Sequence, residues 1–221
     1  MNTNKLKEHG NIDSSIEYFL DLNIPLNAKI LDVGCNFGST LFRLHELGYT
    51  NIQGIDNNDK SIEIGKRTYS DIQNRITYYP GNTIPYEDED YDIVLMFDVI
   101  EHIPDIQEFL TNQVYRVLKR GGRFIFQTPN KIINIPWEII NKRSFSAYKI
   151  YHCSLQTKKS LRTVLESAQF KDISIEKYNI VTDHNKKKVK RKVGYIGLPL
   201  LYILQGMPLF LFPNLWGTCR K

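Results

Sequence analysis

Residues Lys29–Leu47 read KILDVGCNFGSTLFRLHEL. Ile30, Leu31, Asp32 and Val33 form a short, mostly apolar run of the buried-strand type. Gly34-Cys35-Asn36-Phe37-Gly38 follows as a turn, and Leu41, Leu44 and Leu47 then recur on one helical face. A glycine turn between a parallel strand and a helix lets a ligand approach the backbone closely. It also presents N–H groups at a helix N-terminus. The stretch therefore predicts a strand–turn–helix unit with a nucleoside-type ligand at its turn.

The same alternation continues on either side. Asp13 can cap a helix running to about Asn23, with Ile16, Phe19 and Leu20 on its apolar side. A second strand spans Asn51 to Ile55 and ends in Asp56; Asp59 can cap the next helix, SIEIGKRTYS. Ile76 to Tyr79 reads as a third strand, followed by the turn Pro80-Gly81-Asn82-Thr83. After the acidic loop Glu87 to Asp90, Tyr91 to Phe97 is nearly all apolar, the mark of a strand buried on both faces. Pro104 and Asp105 open a helix through Leu118, and Lys119-Arg120-Gly121-Gly122 reads as its basic, glycine-capped end. Arg123 to Thr128 is a fifth strand. Thr157 caps a helix to about Ala168, and Phe170 to Tyr178 is a sixth strand. Strands alternating with helices predict an α/β fold, a mostly parallel sheet in three layers.

Several features fall on one edge of that sheet, the C-terminal ends of its first four strands, where open α/β sheets bind ligands. Gly34 and Gly38 form the turn. Asp56 lies about 20 residues on, where a carboxylate can accept hydrogen bonds from both hydroxyls of a ribose. Asn82 and Thr83 can read an adenine edge, and Phe97 and Asp98 end the fourth strand near the reactive end of such a ligand. The spacing Gly34-x-x-x-Gly38 differs from the G-x-G-x-x-G of dinucleotide sites, and the chain has no G-x-x-x-x-G-K-[ST] loop.

The totals bound the rest. A chain of 221 residues with 42% hydrophobic content suits one α/β domain with an elaboration. Cys35, Cys153 and Cys219 are few, odd in number and far apart, which argues for a reducing compartment and against a disulfide framework or a zinc site; no metal ligands are assigned. The polar first residues carry no apolar secretion signal, so a cytoplasmic location is expected. The formal net charge is +5, yet Lys186, Lys187, Lys188, Lys190, Arg191 and Lys192 alone supply six positive charges, so the remainder is slightly acidic. That is not the profile of a general nucleic-acid binder. Residues 193–218 are apolar but broken by Pro199, Gly206, Pro208 and Pro213, which argues against a spanning helix. Three readings of this end stay open: a solvated loop followed by elements packed on the core, docking on an anionic inner membrane face, and nucleic-acid contact, which lacks an aromatic platform.

In order along the chain, ILDVGCNFG, IQGIDNND, YYPGNTIPYEDEDYDIVLMFDVIEHIPD and YRVLKRGGRFIFQTPN resemble the successive motifs of class I S-adenosylmethionine-dependent methyltransferases. YHCSLQTKKSLRTVLESAQFKDISIEKYN resembles the helix and sixth strand that follow. The resemblance covers about Ala28 to Asn179 and is strongest to the broad small-molecule group that includes ubiquinone-biosynthesis-type O-methyltransferases. It implies a seven-stranded Rossmann-like sheet whose last strand is antiparallel, supplied here by about Phe210 to Arg220. It implies S-adenosylmethionine as cofactor, with Asp32, Gly34, Cys35, Asn36, Gly38, Asp56, Asn57, Asn82, Thr83, Phe97 and Asp98 at its site. Asn36 replaces a commoner glycine, and Asn82 a commoner aspartate.

The expected organisation is one domain, 1–221. It comprises a flexible arm at 1–12, a core at 28–179, an acceptor-side insertion at 129–156 and the basic-plus-apolar segment 186–221. The insertion contains Trp137, Tyr148, Tyr151 and His152. The expected reaction moves a methyl group to a small or lipid-linked acceptor, through oxygen. A general base would help a hydroxyl acceptor, and His102, then His152, are the candidates. Two other functions compete: a nicotinamide-dependent dehydrogenase, and a non-catalytic S-adenosylmethionine-binding module.

Overall fold

The computed structural model describes residues 12–81, 83–142 and 152–221. Seven strands form one sheet in the order β3-β2-β1-β4-β5-β7-β6. The strands are β1 (Ile30–Val33), β2 (Ile52–Asp56), β3 (Ile76–Tyr78), β4 (Tyr91–Phe97), β5 (Leu118–Pro129), β6 (Lys171–Glu176) and β7 (Asn214–Arg220). β1 to β5 pair in parallel, whereas β7 runs antiparallel between β5 and β6. The expected last strand is present, beginning at Asn214 rather than near Phe210.

Adjacent strand residues point to opposite faces, and the core divides accordingly. On one face Ile30, Ile52, Leu95 and Ile125 pack with Ile16 and Phe19 of α1 (Ile12–Asp21), Leu41 and Leu44 of α2 (Ser39–Glu46), and Ile62 of α3 (Asp59–Thr68). On the other, Leu31, Val94, Phe124 and Phe126 pack with residues of α4 (Ile106–Phe109), α5 (Tyr115–Val117) and α7 (Lys158–Ser167). α6 (Lys131–Lys142) precedes α7 in the chain. A π-turn, Leu110–Val114, joins α4 to α5. The three layers are those the sequence predicts.

Four local details differ from expectation. Asn58, not Asp59, caps α3, its Oδ1 accepting from the Ser61 N–H at 3.2 Å. Residues 119–122 do not close a helix. α5 gives way at Leu118 to extended backbone, and Gly121 and Gly122 exchange backbone hydrogen bonds with Lys221, so this turn extends the sheet. The sixth strand is shorter than read, ending at Glu176. The basic run is a helix rather than a loop, α8 (Asp183–Val193), because the Thr182 hydroxyl caps it and lysine is a good helix former. It leads into α9 (Leu198–Gly206), which is apolar almost all round. Among the described residues no helix is long and apolar enough to cross a membrane.

Candidate functional site

β1 delivers the chain into a turn that only an unusual backbone can make. Gly34 has φ +80°, Asn36 φ +50° and Gly38 φ +81°. A Cβ on Gly34 would lie 2.4 Å from Val99 Cγ2, so glycine is required there on two counts, the left-handed backbone and the close neighbour. The turn is tied down from inside. The Gly34 and Cys35 N–H groups both donate to Ile55 O, at 2.8 and 3.1 Å, and Gly38 N–H donates to Cys35 O at 2.8 Å. Asn36 N–H donates to Asp56 Oδ2 and Asn58 N–H to Asp56 Oδ1, both at 2.8 Å. Each Asp56 oxygen thus accepts one backbone bond and keeps further lone-pair capacity.

A cleft of about 1030 Å³ opens over these strand ends, at the upper limit of the ~300–1,000 Å³ usual for small-molecule sites. Gly34, Asn36, Asp56, Asn57, Asp98, His102 and His152 all line it. Asp32, Cys35, Gly38, Thr83 and Phe97 do not. Asp32 and Cys35 lie buried beneath the turn. Gly38 is the N-cap of α2, Thr83 is exposed, and Phe97 turns its ring toward Trp216, 6.1 Å between centroids. Asn82, Tyr148, Tyr151 and the arm at 1–11 lie outside the described residues. Tyr79, Val99, Glu101 and Glu138 line the cleft without having been singled out as ligands. Of these, only Glu101 had a visible signal, its place beside His102.

Burial, then the nearby Asp56 charge, pushes the Asp32 carboxyl up to about 7. Burial, then Asp32 and Asp56, also pushes the Cys35 thiol up, which makes it a poor nucleophile. Asp98 has φ +55°. Its N–H donates to Gln127 O, and its Oδ1 accepts from Gln127 Nε2 at 2.9 Å. Glu101 is buried; burial and the Asp98 charge push its carboxyl up to about 8.

The two histidines come from distant parts of the chain. His102 ends a 3₁₀ turn, Ile100–His102, just after β4. His152 is brought across by its own segment. Ser154 N–H donates to the Glu101 carbonyl at 3.0 Å, and Asn130 and Gln156 form a β-bridge at the far end. The imidazole rings then stand 5.2 Å apart.

The charge of the cleft decides which cofactor suits it. Among the described residues its lining holds Asp56, Asp98, Glu101 and Glu138 and no lysine or arginine. The amides of Gly34, Cys35, Asn36 and Gly38 already have acceptors within the protein. Such a lining disfavours a pyrophosphate. It fits S-adenosylmethionine, whose sulfonium and ammonium outweigh its one carboxylate and which carries ribose hydroxyls but no phosphate.

Comparison with known proteins agrees. A family profile described as "Methyltransferase domain" matches residues 6–175. A sterol 24-C-methyltransferase of Yarrowia lipolytica is 32% identical over 108 residues, covering 47% of this chain but only 28% of that enzyme. The chain thus spans less than a third of that relative. A demethylmenaquinone methyltransferase of Lactobacillus johnsonii is 25% identical over 200 residues, 80% of this chain and 82% of that one. An S-adenosylmethionine-dependent methyltransferase structure from Mesorhizobium loti shares the fold with a TM-score of 0.68 at 18% identity, covering 96% of this chain and all of that one. The chain belongs to the methyltransferase domain family, in the class I group of S-adenosylmethionine-dependent methyltransferases.

Proposed function

We propose that residues 1–221 form one domain that moves the methyl group of S-adenosylmethionine to a hydroxyl oxygen on an apolar, lipid-linked acceptor. The observation that carries the donor half is the acidic lining of the cleft, free of lysine and arginine among the described residues. In this reading Asp56 holds the ribose hydroxyls, and Gly34, Asn36 and Asn57 shape the backbone against the donor. Asp98 and Val99 stand toward the methyl end. Asn82 and Thr83 are kept as adenine-side contacts, and Asp32, Cys35, Gly38 and Phe97 as the support beneath.

S-adenosylmethionine supplies a methyl group activated on sulfur. What the protein adds is placement of the acceptor oxygen in line with that carbon, an effect that can contribute ~7–11 kcal/mol. The acceptor hydroxyl gives up its proton, with His102 or His152 to receive it. The new O–C bond forms as the C–S bond breaks, and that electron pair stays on sulfur.

The lipid part of the reading rests on the C-terminal surface. α8 presents Lys186, Lys187, Lys190 and Arg191, and beside it Ile196 (89% exposed), Ile203 (63%) and Phe210 (55%) face outward. The turn Leu209–Leu211 packs against α6, whose Ile140 is 74% exposed. Basic residues beside an exposed apolar face suit an anionic bilayer, at ~1 kcal/mol per basic residue near the surface. The sterol and quinone relatives are named for apolar acceptors, which supports the same reading.

Calorimetry with S-adenosylhomocysteine and, separately, NAD⁺ tests the donor. Saturable NAD⁺ binding without S-adenosylhomocysteine binding would overturn it in favour of a dehydrogenase. Transfer of labelled methyl to hydroxylated prenyl-quinones is the expected activity; donor binding with no transfer to any hydroxyl acceptor supports a binding module instead. Intact protein is expected to sediment with phosphatidylserine vesicles and to stay in the supernatant when the six basic residues of 186–192 become glutamine.

A further inference from the structure

We propose that Asn130 is a positioning residue whose side-chain amide locks the bilayer-facing turn Leu209–Leu211 to the rim of the cleft. A lipid-linked hydroxyl held at the membrane then arrives in register with the methyl group. Asn130 follows β5 and is 1% exposed. Its Nδ2 donates to the Phe212 carbonyl at 2.9 Å and the Phe210 carbonyl at 3.1 Å, with Leu209 O at 3.5 Å. Its Oδ1 accepts from Ile132 N–H at 3.2 Å and so caps the start of α6. The two ends of the amide cannot be exchanged. Carbonyls face the nitrogen and an N–H faces the oxygen, so only this orientation satisfies both.

The backbone of the same residue adds further ties. Asn130 N–H donates to Pro213 O at 2.8 Å, just before β7 begins. Asn130 also bridges to Gln156, and Lys131 N–H donates to Gln156 O at 2.9 Å. One buried residue thus joins the turn Leu209–Leu211, α6 and the segment that carries His152. Two of these pieces reach the cleft, which Glu138 of α6 and His152 both line. The other reaches the surface proposed to meet the bilayer. Phe210 is half exposed there, whereas Phe212 is buried with Leu201 of α9. A single 3₁₀ turn has few bonds of its own. Its position is therefore set by what grips its carbonyls, and a buried carbonyl that lost its donor would be costly.

The consequence rests on the bilayer and methyl-transfer readings above. In-line transfer needs close placement, and a shift of ~1 Å can cost ~10²-fold. An acceptor whose chain stays in the bilayer brings a constraint of height: the cleft has to sit at a fixed distance from the surface on which that chain rests. A soluble acceptor has no such constraint. The Asn130 amide therefore matters for an embedded acceptor and little for a soluble one.

The test compares methyl transfer by the full chain to two acceptors with one head group. One is a long-chain hydroxylated prenyl-quinone in phosphatidylserine vesicles, and the other is its short-chain, water-soluble counterpart. Asn130→Ser keeps a hydroxyl able to cap α6 but too short to reach the carbonyls of the turn. Asn130→Asp keeps the shape and the cap but turns a carboxylate oxygen onto those carbonyls. In both variants, kcat/KM for the embedded acceptor should fall at least tenfold, while that for the soluble acceptor stays within threefold of the parent. S-adenosylhomocysteine affinity and vesicle sedimentation should stay within twofold. A residue that served stability alone would lower these readings together, so equal losses on both acceptors, or no loss on the embedded one, would overturn the proposal. Phe210→Ala leaves the gripped carbonyl in place and tests the same register independently of folding at Asn130. At saturating vesicles it should lower the embedded-to-soluble ratio at least threefold; an unchanged ratio would also count against the proposal. The readings fail separately. A parent that binds no vesicles, or transfers no methyl to the embedded acceptor, sinks the bilayer reading and this inference with it. A parent that does both, with Asn130 variants that keep its ratio, sinks the role of Asn130 alone.

Discussion

The two sides of the cleft are built on different principles. The donor side, from Gly34 to Asp56, comes from two adjacent parallel strands, and backbone hydrogen bonds fix its shape. The side proposed for the acceptor comes from the end of β4, the return segment at 152–156 and α6. Its chemistry rests on side chains about 50 residues apart, joined through the Glu101 carbonyl. A backbone-built half tolerates little change but holds one ligand class. A side-chain-built half can be retuned one residue at a time, which suits a family whose relatives here include enzymes named for sterols and for demethylmenaquinone.

If the contrast is right, the largest damage comes from the donor turn. Gly34→Ala would force a side chain onto a left-handed backbone and against Val99. We expect a loss of about 2–5 kcal/mol and, at ~2–4 °C per kcal/mol for a chain of this size, a thermal midpoint lower by ~5–15 °C. A midpoint unchanged in calorimetry would show that the turn is softer than its geometry implies.

The next effect concerns the carboxylate beneath the turn. The folded state holds the Asp32 proton up to about pH 7, whereas the ordinary value is 3.8. The folded state therefore binds more protons across that window, and stability falls as pH rises from about 4 to 7. Asp32→Asn removes this penalty. Its gain over the parent should be smallest at pH 4 and grow toward pH 8 to ~4 kcal/mol. Glu101 keeps a remaining slope, since its proton is held up to about 8. Equal gains at pH 4 and pH 8, read from urea unfolding, would remove the buried-proton account.

The smallest expected change sharpens the comparison most. Asp56→Ala should weaken S-adenosylhomocysteine binding at least tenfold, because it removes the proposed ribose acceptor and the brace on Asn36. His102→Ala should leave that affinity within twofold while slowing methyl transfer. Comparable losses of donor affinity in both variants would mean that the halves are not separable.

The same contrast explains what could be read from the amino-acid order. Ile30 to Val33, the Gly34–Gly38 turn and Asp56 announce themselves because local rules govern them: a buried strand reads as apolar, and a left-handed turn needs glycine. The parallel strands and the place of Asp56 at a strand end were legible for that reason. The direction of the Phe97 ring was not legible, because alternation along a strand fixes a face only when both faces are known, and its neighbour Trp216 lies more than 100 residues on. The Glu101–His102–His152 cluster was illegible as a unit, since nothing in the sequence ties Ser154 to the Glu101 carbonyl. The helical state of α8 is a local signal, carried by Thr182 at the cap and a lysine-rich run free of glycine and proline.

The acidic lining also bears on how the cycle ends. Methyl transfer turns a sulfonium into an uncharged thioether, so the ligand loses a positive charge while Asp56, Asp98 and Glu138 stay where they are. Coulomb attraction that favours the incoming donor is then weaker for the spent one. Each transfer thus weakens the electrostatic hold on its own by-product.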